Sequence, residues 1–233
     1  LAGTNIATYN ITATDNVSIA NSATVSATGT INLSGAGTAA VGTTATSITA
    51  AAVNASGMSG ALTAFVGANL STITGGTGAD NITISTDVNF TVDGGTGSDT
   101  LTILSATTDL DFSDNTTTSL AGIEIIQYDD SGSNDTTHTF DGSLFHNGSM
   151  IVKGESTGNK DTIAFAMDNT TLNVAGINAD TTTMAGVTIT STAVANSALT
   201  ITGTAMADDI TSGNQNDTIV SGAGNDIITD SGA

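Results

Sequence analysis

The chain has 233 residues, 22 Asp or Glu against two lysines, a formal net charge of -20, and no Cys, Pro or Trp. So few cations exclude binding to a nucleic-acid backbone and adsorption to an anionic membrane, because both need Lys and Arg to meet phosphate. No disulfide is available, and no apolar run approaches the about 20 residues of a spanning helix, so no transmembrane segment is expected.

The rest of the alphabet is one of strands and turns. About one residue in five is Thr, and nearly all the acid is Asp, with Glu only at Glu124 and Glu155. Thr, Val and Ile suit a pleated surface and Gly, Asn, Asp and Ser supply turns, whereas the residues of long helices are scarce. Unscreened carboxylates repel, so cations are the natural partners.

From Ile6 to about Ile48 apolar positions alternate with Thr, Ser, Ala and Asn, as in Val17-Ser18-Ile19 and Ile31-Asn32-Leu33, a period of two. Short strands of the same kind are predicted at Leu62–Val66, Phe90–Val92, Leu101–Ile103, Val187–Ile189 and Leu199–Ile201. Three segments, starting at Ser56, Gly142 and Ser191, repeat one order of strand, Gly/Asp loop and second strand.

The loops carry the chemistry. Gly75-Gly76-Thr77-Gly78-Ala79-Asp80-Asn81-Ile82-Thr83 and Gly94-Gly95-Thr96-Gly97-Ser98-Asp99-Thr100-Leu101-Thr102 share glycines at positions one, two and four, Asp at six and a large apolar residue at eight. A degenerate array follows from Gly203, Ser212 and Ser221, with Asp208, Asp217 and Asp226 nine apart and Ile210, Ile219 and Ile228 in step. It keeps Gly222 and Gly224 but has Met206 and Gln215 at the fourth position, which predicts weaker metal occupancy at those turns. Glycines allow positive φ and inward carbonyls, the Asp adds a carboxylate, and Ca²⁺ takes six or more oxygens at about 2.3–2.6 Å. One loop cannot complete that shell.

If each nonapeptide is a turn plus a strand, two make a coil of 18 residues, putting Asp208 and Asp226 on one edge and Asp217 on the other. Asp80 and Asp99 are 19 apart, which predicts one extra residue in the opposite turn near Asp87-Val88-Asn89. A Ca²⁺ is expected between the loops of Asp80 and Asp99, and another between those of Asp208 and Asp226. The metal candidates are thus Gly76, Gly78, Asp80, Gly95, Gly97, Asp99, Asp208, Asp217, Gly222, Gly224 and Asp226.

On these residues the chain resembles the repeats-in-toxin (RTX) family of calcium-binding nonapeptide repeats. The resemblance covers about a quarter of the chain and implies a right-handed parallel β-roll with calcium between turns and export by a type I secretion machine. The Thr-rich remainder, from Val53 and from Ser119, resembles the body of bacterial surface-layer proteins that carry such repeats. The segment from Gly154 keeps Gly158, Asp161 and Ile163 but has Lys160 where the loop would meet the ion, and it reads as a relic turn.

Other features read more plainly. His138 and His146 lack HExxH spacing and a Cys partner, so no zinc or catalytic role is expected. Asp129-Asp130 and Asp109, Asp111 and Asp114 suggest carbohydrate chemistry only weakly, since acidic sugars need Arg or Lys. Asn-x-Ser/Thr sequons are expected by chance, and Thr ranks repeated over a single pair of 19-residue coils are too short for a regular binding plane. The sequence also reads as an excerpt, because Leu1 opens without a signal sequence and Ser231-Gly232-Ala233 resembles the start of another loop.

The expectation is an all-β fold of parallel β-roll or β-helix (β-solenoid) coils with calcium-binding turns, with room for sandwich-like parts. Four regions follow: Thr/Ala-rich β over 1–70, the first RTX coils over 71–104, Thr-rich β over 105–200, and the second RTX array over 201–233. The expected role is structural, not enzymatic: a secreted, calcium-dependent surface-layer (S-layer) or matrix subunit that self-associates into a lattice or filament and contacts cell-surface glycan. A secreted adhesin is the alternative, ahead of a polysaccharide-acting enzyme.

Overall fold

The computed structural model describes residues 6–20, 25–43, 48, 50–67, 70–105, 108–114, 119–129, 135–154, 160–191 and 194–230. Among them there is no α-helix; strands carry the fold, as the period of two predicts, and they pair in parallel. It is a parallel β-solenoid, made of two compact units. The first comprises residues 1–104 and 117–125 and the second residues 105–116 and 126–233. Within the units the strand ladders run through 70/71 and 200/201 without a break.

The first unit winds between two sheets. One contains β1 (Ile6–Thr12), β3 (Val25–Gly35), β5 (Ala52–Met58), β7 (Thr72–Thr74), β9 (Thr91–Asp93) and β11 (Ser119–Ala121). The other contains β2 (Val17–Ile19), β4 (Ala39–Val41), β6 (Leu62–Val66), β8 (Asn81–Ile84) and β10 (Thr100–Ile103). Parallel register stacks like on like, so Ile31, Val53, Ile73 and Val92 form one buried column and Ile19, Val41, Ala64, Ile82 and Leu101 another. These columns are the core, each fully buried Ile or Val contributing about 1.5–3 kcal/mol over its exposed state.

Alternation sends the intervening residues outward. Thr8, Thr30, Ala52, Thr72, Thr91 and Ser119 form one rank on the first sheet, and Asn10, Asn32, Asn54, Thr74 and Asp93 the next. Asn32 Nδ2 donates to Asn10 Oδ1 at 2.8 Å along the second rank. This corrects the expectation that the ranks are too short: register holds across coils of unequal length because the turns absorb the difference. The extra residue of the 19-residue coil falls where expected, since Ala64 to Ile73 spans nine positions and Ile82 to Val92 spans ten.

The strands of the second unit fall into three ladders. They are β13 (Thr137–Asp141), β15 (Asp161–Ala166), β18 (Met184–Thr190), β20 (Asp208–Ser212) and β22 (Ile227–Asp230); β12 (Ile125–Tyr128), β14 (Met150–Lys153) and β17 (Ile177–Ala179); and β16 (Thr171–Asn173), β19 (Thr200–Thr202) and β21 (Thr218–Val220). Bulky residues fill the wide early coils: Phe112, Phe140, Phe145 and Phe165 follow one another at ring separations of 5.0, 5.2 and 4.9 Å. As the coil step falls from 25 to 18 residues, the Phe140 and Phe165 column continues as Ile189, Ile210 and Ile228.

Candidate metal centre

Every sixth-position aspartate stands at the start of a strand, where the turn leaves a backbone N–H of the preceding coil without a ladder partner. The carboxylate fills that vacancy. Leu62 N donates to Asp80 Oδ1 at 2.7 Å, Asp80 N to Asp99 Oδ1 at 2.8 Å and Asp99 N to Glu124 Oε2 at 2.8 Å. The second unit repeats the device: Thr136 N to Asp161 Oδ1, Leu199 N to Asp217 Oδ1 and Asp208 N to Asp226 Oδ1, at 3.1, 2.9 and 3.1 Å. Asp208 and Asp226 therefore share one edge and Asp217 serves the other. Asp80, Asp99, Asp161 and Asp208 are all buried.

The glycines serve two purposes. Gly95, Gly97, Gly222 and Gly224 have φ of 90°, 150°, 105° and 130°, values costly for a side chain. Gly76 and Gly78 take no positive φ, contrary to expectation, and are required by close stacking instead: a β-carbon on Gly78 would lie 2.8 Å from Gly60 O, and one on Gly76 would overlap Met58 O.

A recurring cradle lies at the first position of the four loops that open on glycine. A β-carbon on Gly75 would overlap both Asp80 Oδ2 and the Gly94 carbonyl oxygen, and one on Gly203 would overlap Asp208 Oδ2 and the Ser221 carbonyl oxygen. Gly154 stands in the same relation to Asp161 Oδ2 and Thr183 O, and Gly94 to Asp99 Oδ2 and Gly122 O. Four times, then, a carboxylate oxygen and the next coil's carbonyl oxygen crowd the space a glycine leaves open. A buried anionic oxygen needs a donor or a cation beside it.

Donors reach some of these oxygens. Asp80 Oδ2 accepts from Gly76 N at 2.8 Å, and Asp208 Oδ2 from Thr204 N at 2.7 Å. Asp99 Oδ2 and Asp217 Oδ2 are buried with no partner among the described residues. Burial, with the charges of Asp80, Glu124 and Asp93 adding, raises the Asp99 carboxyl above its ordinary value against the opposing Asp80 N–H bond. Asp208 is raised chiefly by burial and also by Asp226, against the bonds from Thr204. The orphaned oxygens and glycine cradles fit a hard cation. Among the described residues no three His, Asp or Glu side chains converge on one point, so such an ion would draw on loop carbonyls beside the aspartates.

Sequence reasoning missed Glu124 and the first-position glycines. Glu124-Ile125-Ile126 repeats the offset of Asp80-Asn81-Ile82, a signal hidden by the 25-residue step and the absence of glycine pairs before it. Lys160 Nζ donates to Thr181 O at 2.8 Å, two residues before the cradle carbonyl of Thr183. Residues 155–159 of that turn, Asp130 and residues 231–233 lie outside the described residues.

The histidines are elsewhere. His138 occupies the inward register of Ile163 and Val187, fully buried, its Nδ1 accepting from Leu110 N at 3.0 Å and its ring edge-on to Tyr128 at 4.6 Å. Burial lowers its pKa to about 4, with Asp109 and Asp161 opposing, so it is neutral near pH 7. His146 Nδ1 accepts from Asn173 N at 3.1 Å, which puts the neutral ring's proton on Nε2. That is the reverse of the tautomer a hydroxyl-activating base requires.

Fold and loops define a parallel β-solenoid whose coils are tied by buried carboxylates. No family model matches the chain, and no curated protein or solved structure is significantly similar to it.

Proposed function

We propose that this chain is a calcium-dependent structural protein of the bacterial cell surface, of the RTX type, secreted and self-assembling as an S-layer or surface-matrix subunit. The recurrent cradle carries this reading, since carboxylate and carbonyl oxygens gather at the same loop position in a chain with a net charge of -20. Asp80, Asp99, Asp208, Asp217 and Asp226, with the carbonyls of their loops, would hold the ions. Bound calcium would supply the positive charge that the sequence lacks and tie adjacent coils. Calcium binding the folded form better than the unfolded one stabilises it as external calcium rises.

Electron microscopy of the purified chain with millimolar calcium or with chelator tests the proposal. Ordered sheets or filaments that need calcium are expected; monomers under both conditions would overturn it. The in-register Thr and Asn ranks of the first sheet favour a second reading, an adhesin, which predicts calcium-loaded monomers that co-sediment with insoluble glycan.

A further inference from the structure

We infer that the best cation position of the first unit lies one coil beyond the two glycine-rich loops, between the Asp99 loop and the turn at Gly122–Glu124. The inference rests on the calcium reading of the loops. Its ligand is a hard divalent cation of the calcium class.

Asp80 and Asp99 begin consecutive coils but differ in one respect. Both carboxylate oxygens of Asp80 are engaged, Oδ1 by Leu62 N and Oδ2 by Gly76 N. Asp99 Oδ1 is likewise engaged by Asp80 N, but its Oδ2 has no donor, and the residue is 0 % exposed. The cause is Asp93. Its Oδ1 accepts from Gly95 N at 3.0 Å, the counterpart of the Gly76 N–H that serves Asp80. In the preceding coil Asp93 is replaced in register by Thr74, and there the loop N–H goes to the aspartate. Asp93 thus frees a buried anionic oxygen.

That oxygen is not isolated. A β-carbon on Gly94 would lie 2.9 Å from Asp99 Oδ2 and overlap Gly122 O, so both acceptors pack against one glycine. Gly122, with φ of 56°, turns the chain there, and a β-carbon on it would meet Gly95 O at 2.8 Å and Asp93 Oδ1 at 3.0 Å. Glu124 follows, holding Asp99 N through Oε2. Asp93, Asp99 and Glu124 thus lie along this turn beside the Gly122 and Gly95 carbonyls without converging on one point, and both lysines belong to the second unit. Asp99 Oδ2 and loop carbonyls supply direct ligands, while Asp93 and Glu124 contribute charge. Calcium accepts such mixed oxygen shells, completed by water.

Native mass spectrometry of the full chain in calcium, with circular dichroism to verify folding, tests the position. Asp99→Asn and Glu124→Gln should each bind one ion fewer than the wild type, whereas Asp15→Asn, at an exposed carboxylate of the first unit outside the loops, should bind the same number. Glu124→Gln keeps an acceptor for Asp99 N, so it remains informative if a change at Asp99 prevents folding. Loss of an ion in Asp80→Asn with retention in Glu124→Gln overturns this position and leaves the calcium reading standing. A wild-type chain that binds no calcium overturns both.

Discussion

Burial of His138 should make the second unit acid-sensitive well above the range of its carboxylates. The native ring stays neutral down to about pH 4, whereas the unfolded ring takes its proton near 6.5. Above 6.5 neither state binds that proton and stability is whole; as pH falls through the window from 6.5 to about 4, only the unfolded state is protonated and stability is lost. The displacement corresponds to about 3 kcal/mol in full and to about 2 kcal/mol between pH 7 and pH 5. Urea unfolding at several pH values, in a Tyr9→Phe background so that Tyr128 alone fluoresces, reads this out. His138→Gln retains an acceptor for Leu110 N and should flatten that part of the pH dependence. Equal slopes in the two proteins, or a His138 ring that protonates near 6.5 by NMR, would refute the reasoning.

Asp99→Asn should stabilise the chelator-treated protein by about 1–3 kcal/mol, because an amide donor replaces a buried oxygen without a partner. Loss of stability in chelator-treated thermal unfolding would contradict this. Asp99 and Asp208 act with the opposite sign to His138: their raised native values add stability below the ordinary carboxyl pKa, and it is lost as pH rises through the raised value. The acid gain should therefore shrink in Asp208→Asn, measured by unfolding in chelator. Gly97→Ala combines a φ of 150° with overlap onto Gly78 O and should cost about 2 kcal/mol or more, whereas exposed Thr96→Ala should stay within about 0.5. Phe140→Ala removes the middle of the aromatic file and should cost about 3–5 kcal/mol in urea unfolding.

Much of the fold was legible because both signals are local. Alternation gives strands, and the nine-residue spacing of Asp and Ile gives the 18-residue coil, the two edges and the turn holding the extra residue. The inward place of His138 was missed, although it stands two residues before Phe140 on one strand. What escaped depends on pairing across variable distances. Coil steps of 22, 19, 25 and 18 residues hide the ranks and the place of Glu124 until strands are laid side by side. Composition could suggest aspartates as ligands, but not that each first engages the backbone of its neighbour, since that role needs no particular spacing.

The ladder of carboxylate-to-amide bonds has a direction. Leu62 depends on Asp80, Asp80 on Asp99, Asp99 on Glu124, and Asp208 on Asp226, always the earlier coil on the later. In a stack where each layer interacts with its neighbours, this makes cooperativity vectorial. A coil leaving a ribosome stays unfinished until its successor emerges, so order follows synthesis one coil behind. Damage to one loop is felt first by the layer before it.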